Sequence, residues 1–376
     1  MTWWQRLKKN PLARFGILTL LVFYIAVIGA DFFAPYDPYA SQLEGSLLPP
    51  THIYWTAERG LGPHVYPTTQ GPVDVNTGRR SIAEDRTRPS PVRLFVKGTA
   101  YNFLQLQLPL PTQWSLSDPK IDQVVVFPGF KGDRHLFGTL GSGKLNLLGT
   151  DEQARDQFSR LLYGGRVSLS IGLLGVAISF PLGMLIGGIS GYFGGVVDSV
   201  LMRGVEVLMT IPSIYLIVAL AKVLPETLSS SDRFILIVLI TSLVSWTSLA
   251  RVIRGEVLSL KQREFVQAAR AVGGQPLYII ARHILPQTAT FVIISATLSI
   301  PSFIGAESVL SLIGLGIQQP DPSWGNLLSL ATNASILVFQ PWLLWPPAIL
   351  IVLTVLSFNL LGDALRDALD PRSVRR

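Results

Sequence analysis

Long apolar runs, rather than two- or three-residue alternation, dominate the chain. A helix that crosses a bilayer needs about 20 mostly apolar residues. Six stretches meet that requirement: 15–34, 167–189, 205–223, 234–250, 288–312 with an interruption at Pro301, and 341–361. Gly and Pro inside these runs are compatible with spanning, because neighbouring helices re-satisfy the freed backbone groups. The first run follows Arg6, Lys8, Lys9 and Arg14, a start that resembles a signal peptide. Its apolar length and the lack of a clean small-residue cleavage site predict an uncleaved anchor instead. Residues 35–165 have a different texture. They hold about half of the 26 prolines, and Leu104–Leu108 alternates as a strand does, while 92–97 and 123–127 read as further short strands. The pattern predicts an all-α polytopic membrane protein of six transmembrane helices, with a β-rich insertion between the first two. Its parts are an N-terminal segment with the first span (1–34), the insertion (35–165) and a five-span core (166–376). Alternating strands and the dispersed aromatics Tyr101, Phe103 and Trp114 favour a folded insertion; the rival is a partly ordered Pro-rich loop.

Composition sharpens this. Of 376 residues, 49% are hydrophobic and only 15% charged, against about a quarter charged in soluble domains. A soluble enzyme and a disordered chain are both excluded. The absence of Cys removes disulfides, thiolate metal sites and Cys nucleophiles. The net charge of +7 would suggest nucleic acid in a soluble protein; in this chain its placement has another cause. Basic residues gather at the N-terminal flank, between the fourth and fifth runs (Arg251, Arg254, Lys261, Arg263, Arg270, Arg282) and at the tail (Arg366, Arg372, Arg375, Arg376), while 313–340 has none. With six spans those three segments share one side. The positive-inside rule makes that side the cytoplasm, with both termini inside and 35–166 outside.

Candidate chemistry is sparse. Gly138–Lys144 followed by Leu145 nearly matches a phosphate loop but lacks the hydroxyl residue that ligates magnesium. A Gly-rich turn between two short strands explains it better. His52, His64, His135 and His283 show no ligand spacing, and no G-x-S-x-G elbow is present. The span centres are nearly free of charge. Arg203 and Glu206, three apart, are placed to pair at an inner end, and Lys222 and Glu307 lie near outer ends. A carrier driven by protons or sodium would more often show a mid-span carboxylate relay, so the energy source is expected elsewhere.

The informative stretch lies between the fourth and fifth runs. Ser259 and Gln262 form a capping box. Phe265, Ala268, Ala269 and Val272 share one helical face, and Gly273 or Gly274 supplies a left-handed stop. A second helical stretch at 276–283 ends at Leu285–Pro286. Taken alone, the residues fit a basic helix lying on the inner leaflet as well as one offering its small-residue face to another surface.

Gln267-Ala268-Ala269, Gly273 and His283-Ile284-Leu285-Pro286 together resemble the EAA loop of ABC importer permeases. Gln267 stands where the pattern has Glu, with Glu264 nearby, and His283 where it has Ile. Leu148–Asp151 with Arg155, Asp156, Ser159, Arg160, Gly164 and 166–169 resembles the segment before span two of the C-type subunit of dipeptide, oligopeptide and nickel permeases. So do Leu310–Gly316 and Pro322–Gly325 in the outer loop, and Asn359–Arg372 at the tail. The likeness covers 1–50 and 145–376, and about 51–140 is additional. It implies a docking role toward a cytoplasmic ATPase for Glu264, Phe265, Gln267, Ala268, Ala269, Gly273, His283, Leu285 and Pro286. It further implies a homologous permease partner, two ATPase subunits carrying ATP and magnesium, an external solute-binding protein, and a place in the bacterial inner membrane. The chain itself would bind no cofactor and catalyse nothing. Peptides are the first expectation for the solute. Nickel chelates and glycosides are the alternatives within the class, and a non-transporting sensor or a membrane protease the rivals outside it.

Overall fold

The computed structural model describes residues 3–42, 45–57, 60–73, 80–113, 120–225 and 228–369. Trp114 and the tail from Asp370 onward lie outside the described residues.

A short basic helix α1 (Trp3–Lys9) leads through the Asn10 cap into α2 (Pro11–Ile28), where the Asn10 side chain accepts from the Leu12 and Ala13 amides. The first apolar run is therefore not one helix: Gly29 breaks it, and α3 (Ala30–Phe33) follows. Eight strands come next: β1 (Tyr54–Ala57), β2 (Gly60–Val65), β3 (Thr68–Val73), β4 (Arg80–Glu84), β5 (Ser90–Phe103), β6 (Leu106–Gln113), β7 (Lys120–Phe127) and β8 (Phe130–Thr139). The membrane part then runs through α4 (Gln157–Phe193), α5 (Gly195–Thr210), α6 (Ser213–Lys222), α7 (Ser230–Leu260), α8 (Glu264–Ala271), α9 (Pro276–Ile279), α10 (Ala289–Leu312), α11 (Trp324–Ser329), α12 (Ala334–Phe339) and α13 (Trp345–Leu369).

Among the described residues, five helices are long and apolar enough to cross a membrane. The third expected span, 205–223, is not a single helix. α5 and α6 meet at an 83° bend, because Pro212 has no N–H to continue the ladder and holds Ile211 in extended backbone. Pro301 has the opposite outcome. It sits buried inside α10, which runs on through it uninterrupted. The stretch 276–288 does not stop at Leu285–Pro286 either: α9, a π-type turn over Ile280–Ile284 and a 3₁₀ turn over Leu285–Thr288 feed directly into α10. The α4 helix starts at Gln157, within the stretch assigned to the insertion.

α4 and α7 pack side by side along a stripe of glycines. A Cβ at Gly183 or Gly191 would lie 2.9 or 2.7 Å from the carbonyl oxygens of Trp246 and Arg254, and one at Gly187 would overlap that of Ala250. In lipid there is no hydrophobic drive between helices, so close backbone approach of this kind supplies the packing energy. Around it, Leu169, Ile171, Ile237, Ile304 and Leu310 form the core that joins α4, α7 and α10.

The insertion is folded and β-rich. β1-β2-β5-β8 form one antiparallel sheet, and β3–β4 and β6–β7 form two hairpins. Leu104 does not continue the predicted alternation; it is a turn residue at φ 58° between β5 and β6. The Gly138–Lys144 stretch is also not a turn between two strands. Gly138 and Thr139 close β8, and no strand follows before α4. The sheet rests on α3 and the N-terminal end of α4. The His135 ring lies between the Ala34 and Thr99 carbonyls, Phe32 meets Phe95 with ring centroids 6.2 Å apart, and Phe137 meets Phe158 at 5.9 Å. Asp31 pairs with Arg166 at 2.8 Å and accepts from Tyr163 at 2.7 Å, tying α3 to α4.

Candidate functional site

The α8 helix is built differently from the capping-box expectation. Ser259 lies in the last turn of α7, which continues to Leu260, and the new helix begins at Glu264 with Arg263 as its cap. Packing of α7 against α4 outweighs the local cap signal. Glu264 in the first turn suits the positive end of the helix dipole, and Arg270 in the last turn the negative end.

The predicted apolar face is split. Val266 and Ala269 turn inward onto Phe180, Leu249, Ile253, Val257, Ile279 and Ile284. Phe265 (40% exposed), Ala268 and Val272 (87% exposed) turn away from the protein. The helix and its cap residue Val272 carry two small apolar strips: one seats the helix and the other is exposed.

The stop is at Gly273, with φ 83°. Its N–H donates to the Arg270 carbonyl at 2.9 Å and the Gly274 N–H to that of Ala269 at 3.0 Å. This is the paired C-terminal closure that requires a left-handed residue at C′.

Polar tethers hold the seat. Lys261 Nζ donates to the Gly191 carbonyl at 2.9 Å, fixing the start of the connection to the end of α4. Arg270 lies over the Tyr192 ring, 4.7 Å from its centroid, and donates to the Tyr192 hydroxyl at 3.1 Å. Gln267 donates to the Lys261 carbonyl at 3.3 Å. Arg254 on α7 grips Asp198 on α5 with two hydrogen bonds of 2.6 and 2.5 Å, and Ser190 donates to the same carboxylate. The His283 ring meets Tyr278 edge-on at 5.6 Å, Leu285 packs beneath with the core, and Pro286 is exposed. All nine predicted residues thus fall on one connection, though Ala269 and Leu285 serve its seat rather than its surface. Sequence reasoning missed Val266, Tyr192, Lys261 and the Arg254–Asp198 pair. The i, i+3 spacing of Val266 and Ala269 was the available signal. The expected Arg203–Glu206 pair is present at 3.2 Å, well exposed.

The motif before α4 forms a second, buried polar cluster at the other end of the helices. Asp151 receives Arg155 at 2.7 Å and Arg160 at 3.3 Å, with all three side chains nearly inaccessible. Arg160 also donates to the Pro38 and Pro320 carbonyls at 3.1 and 3.0 Å, and both arginines reach the Gln319 side chain. Trp324, fully buried, donates to the Leu161 carbonyl at 3.0 Å. Glu307, also buried, receives the Ser311 and Ser168 hydroxyls at 2.8 and 3.3 Å. The motif therefore clamps the loop 317–327 and the 35–40 segment onto the head of α4. Asp156 caps α4 there, accepting from the Ser159 N–H and hydroxyl at 2.7 and 2.6 Å. Its burial pushes the carboxyl up to about 7.

A polytopic helical unit with an inserted β-rich domain and an exposed small-residue helix at its opposite end matches one family. The profile described as "Binding-protein-dependent transport system inner membrane component" covers residues 180–375, and that of the "N-terminal TM domain of oligopeptide transport permease C" covers 2–50. The chain is 42% identical over 227 residues to the oligopeptide transport system permease protein OppC of Haemophilus influenzae, spanning 60% of this chain and 70% of that one. It is 40% identical over 224 residues to the dipeptide transport system permease protein DppC of Bacillus subtilis, spanning 60% and 68%. Among solved structures, an inward-facing MetNI methionine ABC transporter chain overlaps 57% of this chain and 98% of its own, at 16% identity and a TM-score of 0.44.

The chain belongs to the binding-protein-dependent transport system inner membrane component family. It is a permease subunit of an ATP-driven ABC importer: a membrane-spanning, non-enzymatic component that works with separate ATPase subunits and a binding protein.

Proposed function

We propose that this chain is the C-type permease subunit of an importer of di- or oligopeptides. The curated relatives named for oligopeptide and dipeptide transport, at about 40% identity, support that solute class. Six spans are reached by counting the bent α5–α6 pair as one. The termini and α8 then face the cytoplasm and the insertion faces out, as the basic flanks require. The division into a first span, an outer insertion and a five-span core is retained, with α4 beginning at Gln157.

The single observation that carries the coupling mechanism is the free face of α8. Phe265, Ala268 and Val272 expose apolar surface beside Glu264, Gln267 and a glycine stop, and a partner helix or cleft can approach the Ala268 backbone closely. An ATPase subunit seated there pushes on α8. Val266 and Ala269 pass that force to the inner ends of α4 and α7, and the Arg254–Asp198 pair passes it to α5. ATP and magnesium reside on the two ATPase subunits and none on this chain. A homologous permease completes the pathway, alternating its access inward and outward. His283, Leu285 and Pro286 position the connection behind α8.

Reconstituted vesicles holding the assembled importer, given ATP inside and the binding protein outside, test the reading with peptide, nickel-chelate and glycoside arms. Peptide accumulation that stops without the binding protein is the expected result. Accumulation only of a chelate or glycoside would overturn the peptide assignment, and no accumulation at all would favour a sensor.

A further inference from the structure

A cleft of about 1070 Å³ opens in the outer insertion, between the β5–β8 face, the β3–β4 hairpin and the 35–52 segment. This is at the upper end of small-molecule sites, which run to about 1,000 Å³. Its walls carry both signs of charge, Asp37 and Glu84 against Arg86, Lys97 and Lys144, of which Glu84 pairs with Arg86 and Lys97 with Asp133. Two of these are uncommitted. Lys144 lies 5.2 Å over the Tyr36 ring and has no carboxylate partner among the described residues, and Asp37 next door only accepts the Tyr39 N–H at 2.8 Å. β8 is at the edge of its sheet, and β3–β4 is a lone hairpin with two edges. An extended chain can add to such edges through its own backbone.

We propose that this cleft binds a short peptide with free termini, held extended, as an outer station before the membrane pathway. The proposal rests on the peptide reading of the importer. The chemistry is specific to that class. A peptide in solution is a zwitterion with an ammonium at one end, a carboxylate at the other and amides between. The cleft offers carboxylates, amines and strand edges in one cavity. A neutral sugar would leave the Asp37 and Lys144 charges without a counter-charge, and a purely apolar ligand would leave both without any partner from the ligand.

The native chain has no Cys, so single thiols report cleanly. The full importer in sealed lipid vesicles, with its insertion facing out, carries either Thr99→Cys, in the cleft, or Lys131→Cys, outside it. Its alkylation rate is read with tetra-alanine, with N-acetyl tetra-alanine amide, and with unloaded binding protein alone. Tetra-alanine should slow labelling at position 99 several-fold and leave position 131 unchanged. The blocked peptide should have little effect, and Lys144→Gln should remove the protection. Equal protection by the blocked peptide, protection by unloaded binding protein alone, or no protection would overturn the proposal. Uptake in the same preparation separates the two claims. Peptide import without protection at position 99 defeats the cleft alone, whereas import of chelates or glycosides instead of peptide defeats both.

Discussion

Gly273 concentrates the account into one backbone angle. At φ 83° with open space around its Cβ position, a substitution there meets no neighbour and acts by strain alone. A β-branched residue in this region costs about 1–2 kcal/mol. Gly273→Val should leave the abundance of the protein in the membrane unchanged, because no spanning helix is touched. It should weaken ATPase co-purification by about tenfold, since 1.4 kcal/mol is one decade of affinity, and lower uptake with it. The turn was legible in advance because the left-handed closure depends on residue type. The start of α8 was not: Ser259 and Gln262 have the right spacing for a cap, but nothing local reveals that α7 packs on through Leu260.

Asp156 gives a residue-scale pH prediction. The folded state keeps its proton up to about 7, whereas the unfolded chain releases it near 3.8. Between those values the folded state holds more protons, so raising the pH through this window removes stability. Asp156→Asn cannot titrate and should flatten that part of the profile. Thermal unfolding in detergent at pH 4.5 and 7.5 checks it: the wild type should lose more melting temperature across the interval than the variant.

At the scale of elements, the polar clamp on α4 is predicted to be a stability device. Asp151 is the carboxylate that pairs with both buried guanidinium groups. Asp151→Ala strands both, and breaking a buried pair from one side costs about 3–5 kcal/mol. The melting temperature should fall sharply and the outer loop 317–327 become accessible to protease, while purified protein retains ATPase association because α8 lies at the other end. The sequence exposed this motif by resemblance only. Its physical sense, two arginines reaching across to Gln319 and Pro320, comes from segments more than 150 residues apart. The α5–α6 bend was hidden for the opposite reason. Apolarity continues straight through Pro212, so a hydropathy reading joins what the backbone separates.

At the scale of the whole molecule, orientation links every part. The apolar runs located the spanning helices without the structure, because lipid acts on composition. The strand pairing of the insertion and the two-sided use of α8 depend on tertiary contacts. With its orientation as proposed, an impermeant thiol reagent applied to intact cells should label Lys131→Cys and spare Gln275→Cys. The reverse pattern would place α8 outside, beyond any cytoplasmic ATPase.

The central claim is that the free face of α8 is the contact through which ATP hydrolysis moves this subunit. Site-directed cross-linking measures it most directly. Cysteines at Ala268 or Val272, on the exposed strip, are paired with a short bifunctional thiol reagent against single cysteines lining the facing cleft of the ATPase. The account predicts a cross-linked permease–ATPase band from both positions, its yield changing when a non-hydrolysable ATP analogue is added, and none from Thr99→Cys in the insertion. Absence of any band from Ala268 and Val272 in a complex that still imports its solute would contradict it.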